Sequence, residues 1–124
     1  MNKVVHFEIP FDDKQRSQKF YADTFGWKFD EMPEVGYIGA MTTPTSEDMM
    51  PTEPGSINGG FYERTKENPT PVITIEVESI DDHAKKIEAA GGLMIVPKGE
   101  VPNMGYYAYF KDTEGNTIGL WENM

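Results

Sequence analysis

One short pattern runs through the chain twice, and this repetition limits the fold more than any single motif does. The first copy reads strand, helix, glycine and three further strands: Val4–Ile9, Asp13–Phe25, Gly26, then extended runs ending at Tyr62. The second copy reads Val72–Val77, Ile80–Ala90, Gly91-Gly92, then runs ending at Trp121. The order βαβββ–βαβββ predicts an α+β fold, because a doubly wound parallel sheet would need helices between most strands. Paired βαβββ modules imply a curved, cup-shaped mixed sheet with the two helices on its outer face. The expected division is module one at 1–63, a polar, proline-containing linker at 64–71, and module two at 72–124. A duplicated unit of this kind tends to carry its function in the seam between the copies.

Local chemistry supports each element. Val5, Phe7 and Ile9 alternate with Val4, His6 and Glu8, so the first strand has one apolar face and one mixed face. Asp12-Asp13 supply an N-cap and Gly26 a left-handed stop for the first helix. Ser79 with Asp82 resembles a capping box for the second helix, and Gly91-Gly92 ends it. In the strand at 72–77, Ile73, Ile75 and Val77 are expected inward, with Val72, Thr74 and Glu76 on the other face. The stretch Thr43 to Gly55, with three prolines and Met49-Met50, reads as a surface loop or as a flap over a pocket.

Bulk properties remove whole classes of function. The chain of 124 residues has no cysteine, which excludes disulfides, thiolate metal sites and cysteine nucleophiles and fits a reducing cytoplasm. The formal charge of −10 opposes binding to nucleic acid or an anionic membrane. No cleavable-signal pattern opens the chain, and no apolar run approaches the roughly 20 residues that span a bilayer. Nucleic acid and membrane are therefore not the expected partners, whereas an exposed sheet edge or helix face could pair with a second copy of the chain as a homodimer.

By alternation, His6, Glu8, Asn58, Tyr62, Thr74, Glu76, Thr117 and Trp121 face the cup. His6 is a candidate general base or ligand. Glu8, two residues on, could share a proton with it and abstract one beside a carbonyl. Asn58, Gly59, Gly60 and Gly119 are expected to leave room for a ligand. Tyr62, Tyr107, Tyr109 and Trp121 would supply aromatic walls of the kind that line small-molecule sites. Gly91-Gly92 closes a helix, so it is no phosphate loop. His83 is expected at the surface, which leaves no Ser/His/Asp set.

Several motifs together resemble the vicinal oxygen chelate superfamily, which includes glyoxalase I, bleomycin-resistance proteins and extradiol dioxygenases. They are His6-Phe7-Glu8-Ile9, Arg16-Ser17 with Phe20-Tyr21, Phe25-Gly26-Trp27, Ala90-Gly91-Gly92, and Phe110 through Asn116 with its Asp-x-x-Gly-Asn turn. The resemblance implies the paired fold and often a dimer. In metal-dependent members four strand positions hold one divalent ion. Carried over, they fall on His6, near Gly60, on Val72 and on Gly119, and only the first has a suitable donor. The resemblance thus implies a cup that binds a small organic molecule without a cofactor and without the usual metal. The alternative is a lyase, isomerase or dioxygenase using His6 and Glu8, with a divalent metal at an unusual site.

Overall fold

The structure, a computed structural model, describes residues 1–124 apart from the side chain of Val35. Among the described residues there are eight strands and two α-helices, in the order βαβββ–βαβββ. The strands are β1 (Val4–Phe11), β2 (Lys28–Met32), β3 (Tyr37–Met41), β4 (Gly59–Glu63), β5 (Val72–Glu76), β6 (Leu93–Val101), β7 (Gly105–Lys111) and β8 (Thr117–Asn123). The helices are α1 (Lys14–Phe25) and α2 (Ile80–Ala89). The chain is therefore α+β, as its pattern predicts. By contact it divides into two compact units, His6–Pro71 and Met1–Val5 with Val72–Met124.

In the first unit the strand order is β2-β3-β4-β1. β2, β3 and β4 run antiparallel in turn, and β4 pairs parallel to β1, with Glu8 opposite Gly60 and Ile9 opposite Phe61. Asp13 caps α1 by accepting a hydrogen bond from the Arg16 amide at 2.9 Å. Gly26 ends the helix at φ 73°, a conformation open to glycine without strain. The core holds Ile38, Ala40 and Phe61, against which Ile9, Phe11, Tyr21, Trp27 and Phe29 pack. Tyr21 of α1 meets Phe61 edge-on at 5.2 Å between centroids and stacks on Trp27 at 4.9 Å. Aromatic pairs of this geometry add about 0.5–1.5 kcal/mol each beyond area burial.

In the second unit the order is β5-β8-β7-β6. β5 pairs parallel to β8, and β8, β7 and β6 follow antiparallel. Ser79 caps α2 by accepting from the Asp82 amide at 3.1 Å. A second carboxylate reaches the same end of the helix, since the Ile80 amide donates to Glu122 Oε2 at 2.7 Å. Lys98 holds that carboxylate at 3.2 Å and lies over the Tyr106 ring. The core is Val77, Ile80, Ala108 and Leu120.

Element boundaries move only slightly from the sequence reading, and three differences are instructive. β6 continues through Pro97 to Val101, crossing two register shifts, because an outermost strand tolerates a residue that donates no hydrogen bond. In β5 the faces alternate as expected, but burial does not follow them at its start: Ile73 is exposed while Val72 and Thr74 are buried. The α2 core takes in Ile75 and Val77, farther along the strand. His83 is half-buried rather than on the surface, with Nδ1 at 3.1 Å from the Ser79 carbonyl.

Candidate functional site

The sheet of the first unit has two faces of different chemistry. Register puts Ile9, Phe61 and Ile38 in one row on the α1 side, and Glu8, Gly60 and Gly39 in the adjacent row on the other side. His6 and Tyr62 alternate onto the same side as Glu8, and Tyr37 does so from β3. Glu8 is only 7% exposed, a costly place for a carboxylate. His6 Nε2 and the Tyr37 hydroxyl share one short hydrogen bond, and their rings stack at 6.1 Å between centroids.

The electrostatics follow from burial. Desolvation lowers the His6 pKa to about 4, so its imidazole is neutral near pH 7. Burial, and then the charge of Glu8, push the Tyr37 phenol well above its ordinary value. The Tyr62 phenol is pushed up to about 12 by burial and by Glu8, with partial relief from Arg64. Glu8 thus acts on two hydroxyls at once. The set comprises a neutral imidazole, a carboxylate and two protonated phenols, able to accept or release a proton and to hydrogen-bond an oxygen.

The glycines behave differently from their expected role. A Cβ added to Gly60 would collide with the Tyr37 hydroxyl, so the protein's own tyrosine fills the space that the sequence reading gives to a ligand. Gly59 likewise accommodates the Phe7 ring, Gly99 the Tyr107 ring and Gly105 the Trp121 ring. Aromatic side chains laid over strand glycines recover packing that the missing side chains forfeit. Asn58 ties β3 and its following loop together, accepting from the Thr42 amide at 3.0 Å and donating to Thr45 Oγ1 at 2.8 Å. The Tyr62 hydroxyl lies 3.1 Å from the Asn68 carbonyl and 2.8 Å from that of Thr70, securing the segment that follows β4.

On the second unit, the sheet face away from α2 gathers Thr74 and Glu76 from β5, Thr117, Gly119 and Trp121 from β8, and Tyr107 and Tyr109 from β7. Thr74 and Thr117 are buried, at 5% and 7% exposure. Glu76 accepts a hydrogen bond from Asn123, whose Oδ1 accepts from Trp121 Nε1 at 2.8 Å, so both residues are engaged at the strand ends. Tyr107 and Tyr109 lie 6.1 Å apart between centroids.

The family's metal positions fit a metal poorly in this chain. His6 Nε2 is shared with Tyr37. Gly60 and Gly119 have no donor side chain, and Tyr37 and Thr74 fill the space beside them. Val72 is apolar and buried. Among the described residues no group of three or more His, Asp or Glu side chains could hold an ion. Tyr37 is the residue that sequence reasoning missed. It looks like an ordinary strand start, and its partnership with His6 depends on the β3–β4–β1 register.

Comparison with known proteins gives a consistent answer. Residues 3–43 match the family model described as bleomycin resistance protein-like N-terminal. A glyoxylase-like domain-containing protein of Didymella fabae is 36% identical over 126 residues, covering 95% of this chain and 91% of that protein. A Mycobacterium bovis protein, CFP32, whose name is also drawn from the glyoxylases, is 28% identical over 120 residues; the chain covers 93% of itself and 43% of that protein. Among solved structures, a variant of Streptomyces coelicolor methylmalonyl-CoA epimerase in complex with 2-nitronate-propionyl-CoA shares the fold. Its TM-score is 0.64 at 18% identity, covering 99% of this chain and 95% of that one. On the strength of the Didymella relative, and of a fold that agrees with it, the chain belongs to the glyoxalase/bleomycin-resistance-like proteins of the vicinal oxygen chelate superfamily.

Proposed function

We propose that the chain binds a small organic molecule at the sheet face formed by His6, Glu8, Tyr37 and Tyr62, without the divalent ion of the superfamily's metal enzymes. The observation that carries this reading is the nearly buried carboxylate of Glu8 acting on two phenols beside a neutral imidazole. A structural core needs none of these groups on that face, and burying them costs free energy. The Tyr62 proton is committed to the Asn68 and Thr70 carbonyls, but the Tyr37 phenol, accepting from His6 Nε2, can donate to a ligand's carbonyl oxygen, whereas the Glu8 charge repels carboxylates. The ligand class is therefore a neutral carbonyl compound. The test is a thermal-shift series with neutral ketones, esters and amides against wild type and Tyr37→Phe. Stabilisation lost in the variant supports the reading, and no stabilisation by any compound refutes it.

A second reading has its own support. A neutral imidazole and a carboxylate beside hydroxyl donors is a set suited to moving a proton at a carbon next to a carbonyl. Glu8 would take the proton, the C–H electron pair would become the double bond of an enolate, and a phenol would hydrogen-bond the oxygen that gains charge. The fold neighbour's name, methylmalonyl-CoA epimerase, fits such chemistry. Deuterium uptake from solvent into a bound ketone, followed by NMR, would show it. Uptake unchanged in Glu8→Gln would exclude this role.

A further inference from the structure

The first unit carries two exposed features of complementary chemistry. One is an open groove of about 350 Å³ beyond the end of β1, lined by Ile9, Phe11, Arg64 and, from α1, Arg16, Phe20 and Tyr21. No residue of α1 is buried, and Phe20 leaves 56% of its surface exposed beside this groove. The charges around it are unequally committed. Arg64 donates to Asp12 and to the Pro69 carbonyl, and Asp13 caps the helix. Among the described residues the Arg16 guanidinium has neither a hydrogen-bond nor an ion-pair partner.

The other feature is the tip of the loop between β3 and β4, Glu47-Asp48-Met49-Met50. Ser46 clamps it, its amide donating to the Met50 carbonyl at 2.8 Å and its carbonyl accepting from the Met49 amide at 3.0 Å. A bridge from Thr45 to Pro51 closes the base. Met49 adopts φ 64°, uncommon for a residue with a side chain. A tip held in this way is preorganised for contact. It presents Met49 and Met50, 39% and 62% exposed, next to two carboxylates without an ion-pair partner among the described residues.

Topology keeps the two features apart. β1 and β4 are parallel, with Phe7 opposite Gly59 and Phe11 opposite Glu63. The groove lies past Phe11, whereas the loop enters β4 ahead of Gly59, so about 13 Å of strand separates them. No residue of the loop lines the groove. We propose that two copies of the chain pair about a two-fold axis, each seating its Met49-Met50 tip in the other's groove. An axis perpendicular to β1 sets the two β1 strands antiparallel and brings the groove end of each copy against the loop end of the other. The contact then forms twice, as an isologous interface requires. The thioethers meet Phe20 and Tyr21, and Glu47 and Asp48 meet Arg16. Both halves of the match stand on one unit of one chain, which commits the partner to a second copy. The inference does not rest on the reading of His6 and Glu8.

Sedimentation equilibrium of the full chain in about 0.15 M salt tests it, since repulsion between two chains of charge −10 is then screened beyond about 8 Å. A dimer is expected, with its Kd raised about tenfold or more in Phe20→Ser, in Met50→Ser and in Arg16→Glu. Asp48→Arg should weaken it likewise. Combining Arg16→Glu with Asp48→Arg should restore affinity to within about threefold of wild type, because the exchanged charges meet across the interface. All four positions are exposed, so far-UV circular dichroism should be unaltered in every variant. The proposal fails if wild type stays monomeric up to about 1 mM, if dimers persist undiminished in Met50→Ser and Arg16→Glu, or if the charge exchange restores nothing.

Discussion

Tyr37 lies across Gly60, with its hydroxyl where a side chain at position 60 would begin and its hydrogen bond directed to His6. One missing side chain therefore sets the position of the phenol that meets the imidazole. Gly60→Ala should force Tyr37 away, at a cost of about 1–3 kcal/mol from overpacking. Pairing it with Tyr37→Ala should recover part of that loss in urea melts, a non-additivity expected only of residues in contact. Strict additivity would separate the two residues.

His6 gives a pH signature with a definite sign. Its folded-state value near 4 lies below the unfolded value of 6.5, so between these the unfolded chain holds the extra proton. Stability therefore increases with pH across that window and is lost as pH falls from 6.5 toward 4, on the order of 3 kcal/mol in total. His6→Gln should flatten the stability profile between pH 4 and 6.5. A His6 imidazole signal, assigned by its loss in His6→Gln, that titrates near 6.5 in the folded wild type would contradict the burial argument.

Glu122 offers a test away from both sites. It accepts from the first amide of α2 while Lys98 holds it in place. Glu122→Ala leaves that amide without its carboxylate and should cost about 1–2 kcal/mol, in the range of lost helix caps. Denaturant unfolding followed by far-UV circular dichroism measures it. An unchanged midpoint would mean that Ser79 alone suffices.

Tyr62→Phe should loosen the segment at 64–71, because the hydroxyl is held at the carbonyls of Asn68 and Thr70. Limited proteolysis there should quicken severalfold while the global melting temperature falls by only a few degrees. Equal cleavage rates would show that Arg64, bonded to Asp12 and to the Pro69 carbonyl, secures the segment by itself.

Asp112 predicts behaviour in acid. Hydrogen bonds from the Asn116 amide and side chain, and from the Glu114 amide, hold its carboxyl below the ordinary value of 3.8. A lowered folded value contributes stability that is complete above 3.8 and lost as pH falls through the folded value. Asp112→Asn should therefore narrow the stability difference between pH 5 and pH 2. A profile identical to wild type would remove the turn from the account of acid unfolding.

Much of the fold is legible because its signals are local. Asp13 and Ser79 cap the helices they precede, Gly26 stops the first, and alternation places Glu8 and Ile9 on opposite faces. The site is only partly legible. His6, Glu8 and Tyr62 follow from period-two alternation, but Tyr37 enters through a register joining residues 31 positions apart. The glycines misled for a physical reason. An absent side chain reads as vacancy in a sequence, whereas in a sheet a neighbouring ring can close it, as Phe7, Tyr37, Tyr107 and Trp121 do. Thr74 and Thr117 were visible as residues, but their unmet hydroxyls appear only once burial is known.

The outermost strand of the second unit has a consequence for behaviour in crowded solution. β6 carries Pro97, which has no amide hydrogen to offer, and its ladder slips register between Met94 and Val96 and again between Val96 and Gly99. At the far side of the first unit, β2 is short and bears Lys28, Asp30 and Glu31. Neither margin supplies the long, flat, regular template on which identical molecules add end to end. Straightening β6, by Pro97→Val for example, should offer that edge a more regular template and raise the tendency of molecules to add to one another.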